Sequence, residues 1–131
     1  MISFHTASVA SVSLFFAILF LQSGLDKVFD WKGNFEFHMS HFADSPLRKM
    51  APFMLVIITI IEVSCGILSL AGLIYFFLEN DSSVSFYACC LASLNFLALF
   101  FGQRLSKDYK GAATLVPYFI LALAGMYITF S

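Results

Sequence analysis

Four stretches of this sequence, Thr6 to Leu25, Met50 to Leu78, Ser82 to Gln103 and Gly111 to Ser131, contain between them a single Asp, Glu, Lys or Arg, which is Glu62. Each is long enough, at about 1.5 Å per helical residue, to cross the roughly 30 Å hydrocarbon layer of a bilayer. Of all residues, 60% are hydrophobic and 11% charged, whereas a soluble domain carries about 25% charge. A water-soluble fold is therefore excluded. The runs are continuously apolar and lack the two-residue alternation of barrel strands. The predicted fold is all-α, a transmembrane four-helix bundle forming one domain over residues 1–131, with spans near 6–25, 50–78, 83–103 and 111–130. The remaining loops are too short for a soluble catalytic domain. No Lys or Arg precedes Lys27, so the first run reads as a retained span and not a cleaved signal. A net charge of -1, with no strongly basic segment, gives no reason to expect a nucleic-acid partner.

Lys27, Lys32, Arg48 and Lys49 fall between the first and second spans, and Arg104, Lys107 and Lys110 between the third and fourth. The termini and the acidic turn Glu79-Asn80-Asp81 have no Lys or Arg. This asymmetry predicts that loops 26–49 and 104–110 are cytoplasmic and both termini outside. The long loop mixes Phe29, Trp31, Phe35, Phe37, Met39 and Phe42 with charges, which suits an aromatic segment lying in the headgroup layer. Ser45-Pro46 ahead of Leu47 reads as an N-cap followed by proline in the first helical turn, the expected start of the second span.

Two segments echo each other at an offset of 78: Gly24 to Gly33 and Gly102 to Gly111 share the frame Gly, five residues, Asp, an aromatic, Lys, Gly. Two pseudo-repeated helical hairpins would explain it. So would the common need of a helix end at the interface for an aromatic and a Lys.

Glu62 lies about 11 residues into the second span, roughly 16 Å deep by the helical rise. A carboxylate in hydrocarbon must be protonated or paired, so it should face the bundle interior. It reads as a proton carrier, a ligand to a quinone or lipid headgroup, a counter-ion to a neighbouring cation, or a neutral group bonded to Asn95 or a serine across the helices. Asn95, roughly 10 Å from the end of the third span, is the expected neighbour. At the Lys- and Arg-bearing end, Gln22, Asp26, Lys27 and Asp30 of the first helix match Gln103, Arg104, Asp108 and Tyr109 in depth. They are candidates for an ion-pair network or a headgroup-sized polar mouth, or they form a solvated charge belt.

Cys65, Cys89 and Cys90 all lie within spans, with no Cys-x-x-Cys. Residue counts place Cys65 roughly 10 Å from the other two in depth, beyond disulfide reach, so they read as small buried apolar groups. His38, His41 and Asp44 have helical spacing, but as a ligand set they are too few to predict a metal site. No span carries a His to hold a haem. Ser64, Gly66, Ser69 and Gly72 recur at the short spacings that let helices approach closely.

The segments Gly102-Gln103-Arg104-Leu105-Ser106-Lys107-Asp108-Tyr109-Lys110-Gly111-Ala112-Ala113 and Val116-Pro117-Tyr118-Phe119 resemble the C-terminal half of the DoxX family of small four-span membrane proteins. Ser23-Gly24-Leu25-Asp26-Lys27 is similar to that family's first-helix end, and Glu62 with Gly66 and Gly72 to its second helix. The resemblance implies a four-helix bundle in the bacterial inner membrane, where the outward termini expected from the Lys and Arg asymmetry are periplasmic. Members include a subunit of thiosulfate:quinone oxidoreductase and proteins linked to thiol or oxidative-stress systems, and many have no assigned activity. It supplies no catalytic residues to carry over, and the missing Cys pair speaks against thiol transfer. The expected role is a non-catalytic subunit of a redox-linked membrane complex, with other membrane subunits or a second copy as partners. The alternative is a small transporter, or a lipid- or quinone-binding protein, that uses Glu62. No covalent cofactor is expected; a quinone or membrane lipid is the candidate ligand.

Overall fold

Each charge-poor stretch contributes one long helix. The structure, a computed structural model, describes residues 3–46 and 48–130. They form α1 (Phe4–Phe29), α2 (Trp31–His41), α3 (Ala51–Glu79), α4 (Ser83–Leu105) and α5 (Tyr109–Phe130), with a 3-10 turn at Arg48–Met50 ahead of α3. Four of these, α1, α3, α4 and α5, are long and apolar enough to span a membrane. The fold is an all-α bundle, and no strand occurs among the described residues.

Helix boundaries follow local chemistry. Ser3 caps α1 by accepting a hydrogen bond from the Thr6 N–H at 3.1 Å. The helix continues past the apolar run to Phe29 because no breaker interrupts it, and it ends at Asp30, whose N–H still bonds the Asp26 carbonyl. Leu47, where the sequence places the first turn of the second span, lies outside the described residues. Pro46 sits in a turn, and α3 starts only at Ala51, with Pro52 in its first turn. The missing N–H of Pro52 coincides there with a backbone group that has no helical partner anyway. At the far end Asn80 adopts a left-handed conformation, φ 54°, and its N–H closes on the Phe76 carbonyl at 2.8 Å.

The segment read as an aromatic loop is helical over Trp31–His41 and buries none of its own residues. Its start explains the sequence echo. The Asp30 carboxylate accepts from the Gly33 N–H at 3.4 Å, and the Asp108 carboxylate accepts from the Gly111 N–H at 2.9 Å. A Cβ on either glycine would collide with the capping carboxylate. The shared Asp, aromatic, Lys, Gly frame is thus a helix-start unit used twice, once for the 11-residue α2 and once for the spanning α5.

Helix α1 packs chiefly on α3, and α4 on α5, while α3 and α4 join the two pairs. The first pair is a hairpin interrupted by α2. Close approach at the seams depends on glycine: a Cβ on Gly66 would come within 2.8 Å of the Leu21 backbone nitrogen, and one on Gly72 within 2.8 Å of that of Ser85. Ser69 is buried with them, whereas Ser64 points outward. The core gathers Val12, Phe16 and Phe20 of α1, Cys65 of α3, Cys89, Ala92 and Phe96 of α4, and Ala122 of α5. Outward faces keep large apolar side chains such as Ile60, Phe77, Ile120 and Tyr127 exposed, as lipid contact requires.

Candidate functional site

Ser23 and Lys27, one helical turn apart, share a face of α1. The absence of a side chain at Gly24 brings that face against Val63, the neighbour of Glu62. Lys27 Nζ lies 2.9 Å from Glu62 Oε2 and donates to it. Ser23 Oγ donates to the same oxygen at 2.7 Å and accepts from Lys27 at 2.8 Å. The result is a closed triangle of hydrogen bonds. The Glu62 side chain is 5% exposed and that of Lys27 19%. Burial of either charge alone is expensive, and here each is met by the other and by a hydroxyl.

Glu62 is therefore a counter-ion to Lys27 and is bonded across to α1. Its hydrogen bonds do not run to Asn95. The 29 residues of α3 make a rod of about 44 Å. That exceeds the roughly 30 Å hydrocarbon layer, so α3 is long enough to cross it with tilt or overhang. The long stem of Lys27 then reaches the carboxylate while α1 stays helical.

This triangle forms part of the wall of a cavity of about 400 Å³ at the Lys- and Arg-bearing end, which we call the basic end. Helix α2 supplies Asn34, His38 and His41 to it, and the end of α4 with the turn into α5 supplies Gln103 and Asp108. His41 Nε2 lies 3.6 Å from Asp108 Oδ2 and 3.4 Å from Ser106 Oγ, tying α2 to that turn. Two buried atoms here, His38 Nε2 and Gln103 Oε1, have no hydrogen-bond partner. Burial lowers the His38 pKa, and the charges of His41 and Lys27 lower it further, against a backbone hydrogen bond with Ala51 that raises it.

Of the polar residues that the sequence places at this depth, Lys27, Gln103 and Asp108 line the cavity. Gln22, Asp26 and Asp30 are exposed, and the Asp26 and Asp30 carbonyls accept from the Asn34 amide. Arg104 is exposed with its guanidinium 4.7 Å from the centre of the Tyr109 ring. His38 and His41 share a helix face as their spacing predicts, but the carboxylate that reaches His41 is Asp108 and not Asp44. Sequence reasoning missed this contact because it joins α2 to a loop more than sixty residues away.

A second, smaller cavity of about 160 Å³ lies on the other side of Glu62, walled by Ser23, Glu62, Asn95, Phe96, Leu115 and Tyr118 among others. Glu62 and Asn95 thus share a cavity without bonding each other. Asn95 is wholly buried, and neither its Nδ2 nor its Oδ1 has a partner. The cysteines are free, with Cys65 and Cys89 buried. Cys65 Sγ lies 3.6 Å from the carbonyl of Ala88, the residue before Cys89. The depth gap inferred from residue counts does not hold, since helices of 29 and 23 residues need not begin at one depth.

A family model described as DoxX matches residues 12–78. The matched segment runs from within α1 to the last turn of α3 and contains Ser23, Lys27, Glu62, Gly66 and Gly72; the resembling segment Gly102 to Phe119 lies outside it. No curated protein and no solved structure matches the chain.

Proposed function

The chain belongs to the DoxX family of membrane proteins, and from that premise we propose that it is a non-catalytic accessory subunit of a respiratory or redox-linked complex in the bacterial inner membrane. In this reading the cavity at its basic end receives the headgroup of a quinone or lipid. One observation carries the headgroup assignment. The charge-neutral Lys27, Glu62 and Ser23 cluster shares a cavity with two buried polar atoms, on His38 and Gln103, that lack partners. Each unmet buried group costs about 1–3 kcal/mol, which a headgroup offering both donors and acceptors would recover. The side chains facing lipid are mostly apolar, so the same surface serves lipid, other membrane subunits or a second copy. Loops 26–49 and 104–110 face the cytoplasm in this account and both termini the periplasm, following the Lys and Arg asymmetry.

The second reading is a small transporter in which Glu62 takes up a proton or binds substrate, favoured by the position of Glu62 between two cavities. Glu62→Gln separates the two. Wild-type and variant chains are purified in native nanodiscs, and lipid and quinone are extracted and counted per chain. Headgroup binding predicts a quinone or lipid enriched over the bulk membrane in the wild type and reduced several-fold in the variant. Bulk composition in both contradicts it, and loss of proton-coupled flux in reconstituted vesicles by an intact variant would establish the transporter.

A further inference from the structure

Asn95 presents an unusual problem for a residue in mid-span. Its side chain is wholly buried, yet neither the donor nor the acceptor end of its amide is met by protein. In hydrocarbon an unmet polar group is strongly unfavourable, which favours an occupant of the cavity shared by Asn95 and Glu62 that both donates and accepts.

The chemistry of the walls narrows the occupant. Glu62 already has Lys27 as its counter-ion and Ser23 as a donor. The residues walling the cavity include no Lys, Arg or His. An anion would face the Glu62 carboxylate with no cation to receive it, and a cation would find that carboxylate already engaged. A neutral head remains. A hydroxyl is the smallest group that accepts from Nδ2 and donates to Oδ1.

Beside it lies an apolar cavity of about 150 Å³ between α4 and α5. The two share Phe96 and Leu115 as a common wall. The second is lined by Leu97, Phe100, Val116 and Phe119 besides these and offers no polar side chain. Tyr118, 37% exposed, stands where the polar cavity meets the lipid-facing side of α5, and its ring stacks on Phe96 at 5.7 Å. Pro117 precedes it and withdraws one backbone hydrogen bond from α5 at that level.

We propose that the Asn95 cavity and its apolar neighbour form a second binding site, entered sideways from the membrane past Tyr118, for an uncharged amphiphile with a hydroxyl head and a hydrocarbon tail. The head bonds the Asn95 amide and the tail lies between α4 and α5. This extends the reading of the basic-end cavity and shares only Ser23, Glu62 and Leu99 with it.

The test uses the full chain in phosphatidylcholine nanodiscs and two photoreactive probes, a sixteen-carbon alcohol with a diazirine in its tail and the matching alkane. Labelled peptides are mapped by mass spectrometry. The site predicts that the alcohol labels the segment Leu115 to Phe119 at least about tenfold more than the alkane does, the factor expected from one satisfied buried hydrogen bond. Asn95→Leu, which is close in volume and removes the unmet amide, should abolish that preference and leave the thermal unfolding midpoint unchanged or raised. Equal labelling by alcohol and alkane in the wild type overturns the proposal and leaves water as the partner of Asn95; that comparison needs no variant. A phosphatidylcholine with a photoreactive headgroup reports on the basic-end cavity in the same sample. Labelling of Phe37 to Phe42 by the lipid without selective labelling near Tyr118 overturns this second site alone, whereas failure of both probes removes both sites.

Discussion

Lys27→Met leaves the Glu62 carboxylate buried with only Ser23 for company. Breaking a buried pair from one side typically costs about 3–5 kcal/mol; with Lys27 partly exposed we expect about 3 kcal/mol, read as a drop in unfolding stability in detergent. Lys27→Met combined with Glu62→Gln should recover most of that loss, because no uncompensated charge remains. Additive losses in the double variant would show that the two side chains do not form a functional pair. Glu62 was legible in the sequence as the one charge in four apolar stretches. Its partner was not. Lys27 lies just beyond the end of its own apolar run and reads as a belt residue until the close contact of Gly24 with Val63 is known. Asn95 was legible as an intramembrane amide, but that it stays unbonded is a matter of packing that no spacing rule reports.

At the scale of elements, the seams and the helix starts carry the argument. Gly72→Leu would drive a side chain into the Ser85 backbone on α4, and we expect loss of the folded bundle, measured as aggregation on size exclusion in mild detergent; Ala71→Leu, on an exposed position of the same helix, should elute normally. Asp108→Ala removes the better of the two aspartate caps together with the contact to His41 and should cost at least about 1 kcal/mol, with Asp30→Ala costing less because its bond is longer. The docking of α2 should depend on pH through His38. Its folded pKa lies below the ordinary value near 6.5, mainly because of burial, so between the two values the unfolded segment binds more protons than the folded one. Stability from this group is complete above about pH 6.5 and is lost as pH falls through the lowered folded pKa. Fluorescence of Trp31, the one tryptophan, on α2, should change between pH 7 and pH 5 in the wild type and change less in His38→Phe. Four spans were legible because hydrocarbon admits few alternatives to helices. The helicity of α2 was not, since an 11-residue segment of mixed polarity is held by its Asp30 cap and by the contact of His41 with Asp108, one local and one distant.

For the whole molecule, the pairing of α1 with α3 and of α4 with α5 could not be read from periodicity, because apolar residues cover every face and 17 phenylalanines fit core and lipid alike. The sequence echo pointed to two hairpins, and the hairpins exist, but its residues do a local job at two helix starts. The same apolar exterior bears on the central claim, that this chain works as a subunit within a larger membrane assembly. The most direct measurement is the set of proteins that copurify with it, in defined ratio, from its own membrane in native nanodiscs with a tag on one terminus. The account predicts stoichiometric recovery with other membrane subunits, among them a redox-active one. Recovery of the chain alone or as a homo-oligomer, loaded with lipid or quinone, would contradict the subunit role and leave Glu62-dependent transport or ligand binding as its function.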